Sequence, residues 1–567
     1  MNTKKIITPL LFSVLIFSEK NFAIEDNISP LDQSILNQKQ KDILQEAQRQ
    51  ENLGSKLNIH KNKFSPSEDS SNTICYDVKN IEFNNSFYLS KSEKGSLIKS
   101  YISKCLTIKD INSLTKKISN YYIEQGYVTS RAIIKPQDLS QDTLVIDIIK
   151  GKINSIEIEG EGSPIVLKLA FPNMIGKPLN LRDIEQGLDQ LNRLSSQKIE
   201  IDIQPSEKSE YSDVVLKKVS KKWLNIGSEL ELELDNSGQK STGETQLGTT
   251  LKLDNLLHLA DLWTVSFNKD TDFSNSHKSS YLLSEVTIPY GYWLLGYQYS
   301  WNKSVQNINI NLGNIDFVLP YEGKGQSHTL KINRTLYRDG KQKLAFNTNI
   351  TRRETENSIG GYKLATQSSI LSTINLGFNY SSFLLGGYFS FNPSVTKGLH
   401  IFDAKKDNPS FKNEPRSQFH KFSASSSYFK FLTNNIYYLT SAYGQYSPYH
   451  LYSSERVSLG GQYSIRGFKE SNIVGNIGGY WRNELNWQVA TLPLLGDFSL
   501  KGSLDTGWIK NETHRISEGG NLTGVSFGMF LSNNFTNHSI TVGKPLKYPN
   551  HLKPDNCVVY WSSSFEL

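Results

Sequence analysis

The sequence predicts an all-β transmembrane barrel of about 16 antiparallel strands, preceded by two small α+β domains and an N-terminal helix. Three observations carry this. From about Lys221 to the end, roughly 345 residues repeat short runs that alternate apolar with polar side chains between turn residues, which fits about sixteen strands at about twenty residues per strand and turn. Aromatics gather at strand ends (Tyr290, Tyr292, Trp293; Tyr480, Trp481, Trp487), where an interfacial girdle would lie. After the N-terminus no stretch approaches the ~20 apolar residues of a membrane helix, and a bilayer admits only helices and closed barrels. A soluble sandwich also alternates; the length of the β texture and the placement of the aromatics favour the barrel.

At the start, Lys4-Lys5, the apolar run Ile6 to Phe17 and the small residue Ala23 read as a secretory signal peptide over 1–23, too short in its apolar core to span a bilayer. Residues 24–52 are polar and Gln-rich, with Leu31, Ile35, Leu36, Ile43, Leu44 and Ala47 at helical intervals. A stripe that thin buries little, so a frayed solvated helix is one reading of this segment. Residues 53–72, rich in Ser, Asn, Lys and Asp, read as a linker.

From 73 to 150 the predicted order is strand (Val78 to Phe83), short helix (Leu97 to Cys105), longer helix from an Asp110 N-cap to a Gly126 C-cap, and two strands (Val128 to Ile134, Leu144 to Ile149). The order returns over 151–220: strand Ile153 to Glu159, helices Pro164 to Asn173 and Leu181 to Leu194, strands Ile199 to Gln204 and Val214 to Val219. Two consecutive units of one element order are an internal repeat. Cys75 and Cys105 both fall in the first unit, and in an oxidising compartment they are expected to form a disulfide. No His or further Cys gathers near them, so no metal site is expected. The barrel would occupy 221–567.

The formal net charge of +7 is spread along the chain without a basic tract, which gives no sign of nucleic-acid binding. Gly524-Val525-Ser526-Phe527-Gly528 has the spacing of a nucleophile elbow, but that motif has meaning only between a strand and a helix, and no helix follows it here. There is no His-Glu-x-x-His, no Cys/His ligand spacing and no phosphate-binding loop. No enzymatic activity and no cofactor are expected.

The stretch that organises the barrel half is Glu455 to Phe468, a long loop between a strand over Ile436 to Tyr446 and another over Gly475 to Ala490. Gly460 and Gly461 permit backbone conformations closed to other residues. At the tip, Arg466 stands beside Gly467 and Phe468, and a guanidinium makes a planar two-pronged pair with a carboxylate. Asp505, in Ser503-Leu504-Asp505-Thr506-Gly507, is the candidate partner. An Arg-Gly pair alone is more often an ordinary solvated side chain on a surface loop.

The run Leu459-Gly460-Gly461-x-x-Ser464-Ile465-Arg466-Gly467-Phe468 resembles the long-loop motif of two-partner secretion transporters (TpsB-type), the outer-membrane exporters of haemolysins, adhesins and contact-dependent inhibition toxins. That family pairs the loop Arg with an Asp in Phe-x-Asp-x-Gly; here Ser503 stands where Phe is usual. The two α+β units resemble POTRA domains, and Asp254 to Asp261 and Ile288 to Trp293 resemble family motifs at a hairpin turn and the strands after it. The closing strand resembles an outer-membrane C-terminal signal, with Leu567 where Phe is usual. The resemblance covers nearly the whole chain.

It implies a Gram-negative outer-membrane barrel with periplasmic POTRA domains and helix 24–52 as a removable plug. It also implies a lumen loop motif (Ile465, Arg466, Gly467, Phe468) anchored to Asp505 and Gly507. The implied partners are one large secreted exoprotein (TpsA-type), outer-membrane lipid and, during biogenesis, the barrel assembly machinery; the implied state is a monomer without metal or cofactor. Strand edges of POTRA sheets would take an extended chain as an added strand, with Ile184, Leu188 and Leu191 shaping a groove beside one edge. Exchanging the charges of Arg466 and Asp505 is expected to restore some secretion. Two alternatives remain open: a barrel insertase of the same superfamily, which typically carries more POTRA domains and no plug, and a passive porin, which needs no periplasmic domains.

Overall fold

The computed structural model describes residues 29–54, 74–159, 163–194, 198–219 and 228–567, less short breaks at 273, 275, 313–314, 366, 408–413 and 513–518. The signal-peptide reading of 1–23 and the linker reading over 55–72 lie outside the described residues. Helix α1 runs Pro30–Gly54.

The first α+β unit contains β1 (Cys75–Val78), β2 (Asn80–Asn84), α2 (Lys91–Ile98), β3 (Lys104–Thr107), α3 (Ile108–Glu124), β4 (Arg131–Ile133) and β5 (Thr143–Ile149). Strands β2, β5 and β4 form one sheet in that order, over a core that includes Val78, Leu114, Ile118, Tyr122, Leu144 and Ile146. β1 and β3 form a separate two-stranded antiparallel sheet, across which Cys75 and Cys105 are joined.

Two helix starts differ from the expectation for one reason. Ser90 and Glu93 form a capping box, so α2 begins at Lys91 and ends at Ile98, and Cys105 lies on a strand instead of a helix end. Thr107 and Asp110 form a second box, which makes Thr107 the N-cap of α3 and Asp110 its third residue. Gly126, at φ +95°, follows the end of α3. In the first box, hydrogen bonds from Ser90 and from the Tyr121 hydroxyl hold the Glu93 carboxyl down at about 2, while burial and the neighbouring Glu93 push Tyr121 up to about 12.

The second unit contains β6 (Lys152–Ile158), α4 (Pro164–Ala170), α5 (Leu181–Leu191), β7 (Lys198–Pro205) and β8 (Tyr211–Val219), with sheet order β6-β8-β7. The start of α5 rests on the end of α3: the Leu181 N–H donates to the Gly126 carbonyl at 2.8 Å. α5 also docks on the barrel, where Gln190 Nε2 donates to the carbonyls of Gly291 at 3.0 Å and Trp293 at 3.3 Å. Arg338 pairs with Glu185 and Asp189 across the same contact.

The rest is barrel: β9 (Ser228–Asp235), β10 (Gln246–Asp254), β11 (Leu262–Asp270), β12 (Lys278–Tyr290), β13 (Trp293–Leu312), β14 (Ile315–Arg338), β15 (Gln342–Ile359), β16 (Tyr362–Lys363), β17 (Ser369–Leu384), β18 (Gly387–Leu399), β19 (His420–Phe431) and β20 (Ile436–Tyr446). After a loop containing β21 (Val457–Leu459) and β22 (Ile473–Gly475) come β23 (Gly478–Leu492), β24 (Gly496–Ile509), β25 (Gly520–Ser532), β26 (Thr536–Lys547) and β27 (Val558–Glu566). β16 is two residues appended to β15, which pairs directly with β17; the other sixteen strands form an antiparallel ring that closes where β27 meets β9, with Phe565 opposite Leu232.

Period-two alternation sorts side chains between lipid and lumen. On β23, Trp481, Leu485 and Trp487 are exposed outward while Arg482, Glu484 and Asn486 are buried inward. On β27, Val559 and Phe565 are exposed and Tyr560 is buried. Ser526 of the Gly-x-Ser-x-Gly run sits in mid-strand on β25, its hydroxyl bonded to that of Ser503.

Candidate functional site: a plugged lumen with an anchored loop

Helix α1 lies inside the ring. Its N-terminus is capped by Ser29, whose hydroxyl accepts from the Asp32 N–H at 3.0 Å and donates to the Asp32 carboxylate at 2.9 Å. Leu31 and Leu36 are buried, and the wall is notched for the first of them. A Cβ on Gly323 would stand 2.8 Å from Leu31 Cβ, and one on Gly325 3.4 Å from Leu31 Cδ1. The helix is otherwise held by polar contacts. Gln33 Oε1 accepts from Asn472 Nδ2 at 2.9 Å, Lys39 Nζ donates to the Ser454 carbonyl at 2.7 Å, Gln40 bonds the Ser458 carbonyl, and Lys41 Nζ reaches Glu233 at 3.3 Å. Three of these four ties go to the loop between β20 and β23.

That loop turns back into the barrel. β21 and β22 pair within it, and Val457, Leu459, Ile465, Phe468 and Ile473 bury themselves with Tyr480, Ile509 and Leu522 of the wall. The fit needs glycine on both sides. Gly467, at φ +101°, has the Lys544 backbone where a Cβ would go, 2.7 Å away. A Cβ on Gly507 would meet Ile465 Cδ1 at 2.9 Å, and one on Gly524 would run into the Arg466 carbonyl. The Gly467 N–H donates to the Tyr560 hydroxyl at 3.3 Å.

Arg466, Asp505 and Gly507 are thus brought together with Ile465 and Phe468. Arg466 Nε and Nη2 each donate to a different Asp505 oxygen at 2.7 Å, and the Arg466 backbone N–H donates to the same carboxylate at 3.2 Å. Asp505 is fully buried and Arg466 only 5 % exposed. Sequence reasoning missed the next ring of charge. Arg466 Nη1 also reaches Glu484 at 3.0 Å, and Glu484 is shared with Arg482 at 2.9 Å and Lys501 at 3.3 Å. The signal was present: Arg482 and Glu484 occupy the inward phase of a strand whose outward phase is Trp481, Leu485 and Trp487.

A second cluster was also missed. Glu455, 4 % exposed on the same loop, receives Lys39 of the plug at 3.2 Å, Arg353 of β15 at 2.5 Å and Lys421 of β19 at 2.5 Å. The remaining predicted residues lie elsewhere. Ile184 and Leu191 are wholly buried in the core of the second α+β unit, and only Leu188 of that trio is half-buried. Cys75 and Cys105 staple the β1–β3 pair, far in sequence from the lumen groups. Among the described residues no group of three or more His, Cys, Asp or Glu could hold a metal.

Comparison with known proteins matches residues 210–531 to the family described as haemolysin secretion/activation protein ShlB/FhaC/HecB, residues 76–151 to the ShlB-type POTRA domain and residues 152–205 to a POTRA domain. Outer membrane transporter CdiB of Dickeya dadantii is 36% identical over 548 residues, 97% of this chain and 96% of that protein. Hemolysin transporter protein ShlB of Serratia marcescens is 31% identical over 391 residues, 68% of this chain and 67% of its own length. The solved structure of CdiB from Escherichia coli superposes with a TM-score of 0.89 at 35% identity, covering 96% of this chain and 100% of that one. CdiB from Acinetobacter baumannii, at 23% identity and a TM-score of 0.77, shares the fold.

Proposed function

The chain belongs to the haemolysin secretion/activation family of two-partner secretion transporters, set in the outer membrane with its POTRA domains in the periplasm, and from that premise we propose that it carries one large exoprotein, unfolded, through its own barrel. The observation that supports the reading is the contrast inside the lumen. A loop is fixed to the wall by buried ion pairs and apolar packing, while a separate polar helix fills the remaining bore and is tied mainly to that loop. A helix so held can leave the bore without dismantling the wall. Relatives named as hemolysin transporters support a haemolysin-like exoprotein as the first partner class to test.

In this reading the POTRA domains receive an extended segment of the partner, the plug gives way, and the chain threads outward. The sequence carries no phosphate-binding loop motif, and in this reading net direction comes from folding of the partner outside, which removes unfolded chain from the exit. The outward Trp, Phe and Leu belt faces lipid, the barrel assembly machinery inserts the chain, and the transporter works as a monomer.

The test is secretion. Cells that make the exoprotein together with this transporter are expected to release it to the medium, and cells that lack the transporter to retain it. Retention in both, with other outer-membrane barrels depleted when the transporter is removed, would favour an insertase instead.

A further inference from the structure

We propose that the lipid-facing side of β14 to β19, at its exterior rim, binds a phosphorylated glycolipid of the outer leaflet, of the lipid A class. The loop between β18 and β19 leans over the same face and completes the site. The inference needs only the outer-membrane setting and stands apart from the export reading.

The second POTRA domain docks at the turn before Trp293 and at Arg338. The opposite strand ends, where β18 stops at Leu399 and β19 starts at His420, therefore face the exterior. Directly opposed residues of a ladder share a face, and the period of two gives the next residue on that face. Leu330, Val395 and Phe422 are exposed to lipid, and Ile350 is opposite Leu330. One step further toward the exterior these positions become His328 on β14, Arg352 on β15, Lys397 on β18 and His420 on β19. His328 is opposite Arg352, and Lys397 is opposite His420. Four strands thus exchange their last apolar side chain for a cation or an imidazole at the level where lipid headgroups lie.

The loop that follows β18 is strapped to this face. The Ser372 hydroxyl donates to the Ile401 carbonyl at 2.7 Å, and Arg352 Nε donates to the Phe402 carbonyl at 3.2 Å. Phe402 and Asp403 both take left-handed backbone angles, φ +53° and +62°, which is uncommon for residues other than glycine. The turn leaves Ile401 and Phe402 exposed, Phe402 by 59%. Two exposed apolar side chains beside the end of the lipid belt offer a seat to acyl chains. The returning arm brings Arg416, whose guanidinium lies 5.4 Å from the centre of the Tyr449 ring, and that ring is 5.9 Å from the ring of His420. Lys405 joins the patch through its backbone: its N–H donates to the Ile370 carbonyl at 3.2 Å and its carbonyl accepts from Gln418 Nε2 at 2.9 Å.

The charges fit a phosphorylated headgroup. Arg352 is committed to Glu354 at 3.2 Å. Asp407 spends its carboxylate on the N–H groups of Ser417 and Gln418, at 2.7 and 3.0 Å, and the other two carboxylates of the loop arms, Asp403 and Glu414, are exposed. Lys397, Lys405 and Arg416 have no carboxylate partner among the described residues. Cations of this kind make charge-assisted bonds to phosphate, and each one near an anionic lipid surface strengthens attachment about fivefold. A phosphorylated sugar set on acyl chains presents that pair of features in the same order, phosphate above and hydrocarbon below.

The experiment uses the purified full-length transporter in detergent and reads bound lipid by native mass spectrometry. The probes are phosphorylated lipid A, its dephosphorylated form, phosphatidylglycerol and inorganic phosphate. The parent protein is expected to bind phosphorylated lipid A at least tenfold more tightly than the dephosphorylated form, roughly the loss of two charge contacts. Lys397→Gln combined with Arg416→Gln is expected to weaken binding of phosphorylated lipid A about 25-fold, with the heat-modifiable mobility of the barrel as the folding control. Lys430→Gln, which removes a cation near the periplasmic end of β19, is expected to bind as the parent does. Equal affinity of the parent for the two forms of lipid A overturns the site without recourse to any variant, and so does equal affinity of parent and double variant for the phosphorylated form. Binding of phosphatidylglycerol as tight as that of lipid A overturns the choice of a glycolipid. Displacement of lipid A by millimolar inorganic phosphate assigns the cations to the free ion and overturns the lipid.

Discussion

Replacing Arg466 with Ala separates two accounts of the loop anchor. Five charged groups share the site: Arg466, Arg482 and Lys501 against Glu484 and Asp505. Glu484 keeps Arg482 and Lys501 when Arg466 is removed. Asp505, fully buried, has its ion pair with Arg466 alone among the described residues and also loses the geometry that lets the Arg466 backbone N–H reach it. Breaking a buried pair by removing one partner costs about 3–5 kcal/mol; a hydrated lumen argues for the lower end, and about 3 kcal/mol is roughly a hundredfold shift toward a released loop. Asp505→Ala is the milder change, because Arg466 retains Glu484 at 3.0 Å. The assay is exoprotein in the medium, with the heat-modifiable mobility of the folded barrel as the assembly control. Arg466→Ala should abolish secretion from an assembled barrel and Asp505→Ala should leave a measurable fraction. Equal or reversed losses would refute the reasoning. The structure also revises the expectation for the charge exchange. An Asp at 466 would face the buried Glu484, so exchange with Asp505 alone is expected to fail, and adding Glu484→Gln to restore some secretion.

Three further outcomes are expected. Lys39→Ala removes the plug's ion pair with Glu455; with Lys39 about a third exposed, the loss is about 1 kcal/mol, and single-channel recordings should show open events about fivefold more often. Unchanged opening would mean that Lys39 does not hold the plug. Replacing Cys75 and Cys105 by Ser opens a crosslink of sequence separation 30, which the chain-entropy model values at about 3–4 kcal/mol; amides of the first POTRA domain should exchange faster, while those of the barrel do not change. The Glu93 carboxyl is held down at about 2, below the ordinary 4.5 of a glutamate, so its contribution to the α2 cap is present above about 4.5 and is lost as pH falls toward 2. Hydrogen exchange over Lys91–Ile98 should rise in that window, and Glu93→Gln should flatten the dependence.

The barrel, the repeated α+β units and the juxtaposition of Arg466 with Asp505 were legible because each leaves a local signature: period-two alternation, a repeated element order, or a glycine-flanked Arg at a loop tip. The two misplaced helix starts were legible in principle. Ser90-x-x-Glu93 and Thr107-x-x-Asp110 are both capping boxes, and hydrophobic spacing alone put the starts too late. Glu455 was not legible. Its three cations come from the plug and from two strands remote in sequence, and nothing local to Ser453-Ser454-Glu455 distinguishes it from a loop glutamate. Ile184 and Leu191 show the converse limit, since an apolar stripe on a helix looks the same whether it lines a groove or fills a core.

The two buried clusters differ in what they leave behind, and that difference orders the events of opening. Glu455 has three cations, so withdrawing Lys39 with the plug leaves it paired with Arg353 and Lys421, and no buried charge is stranded. Withdrawing the loop would take Arg466 from Asp505, whose burial is complete and whose ion pair is with Arg466 alone among the described residues. The apolar seat of the plug is small as well: fully burying two leucines is worth about 3–6 kcal/mol, which an incoming chain can offset by covering the same wall. The loop, by contrast, adds the burial of Val457, Leu459, Ile465, Phe468 and Ile473 to its ion pairs. Under a rising occupancy of unfolded partner the plug is therefore expected to give way first and the loop to stay, leaving a bore lined on one side by an anchored segment instead of an empty cylinder.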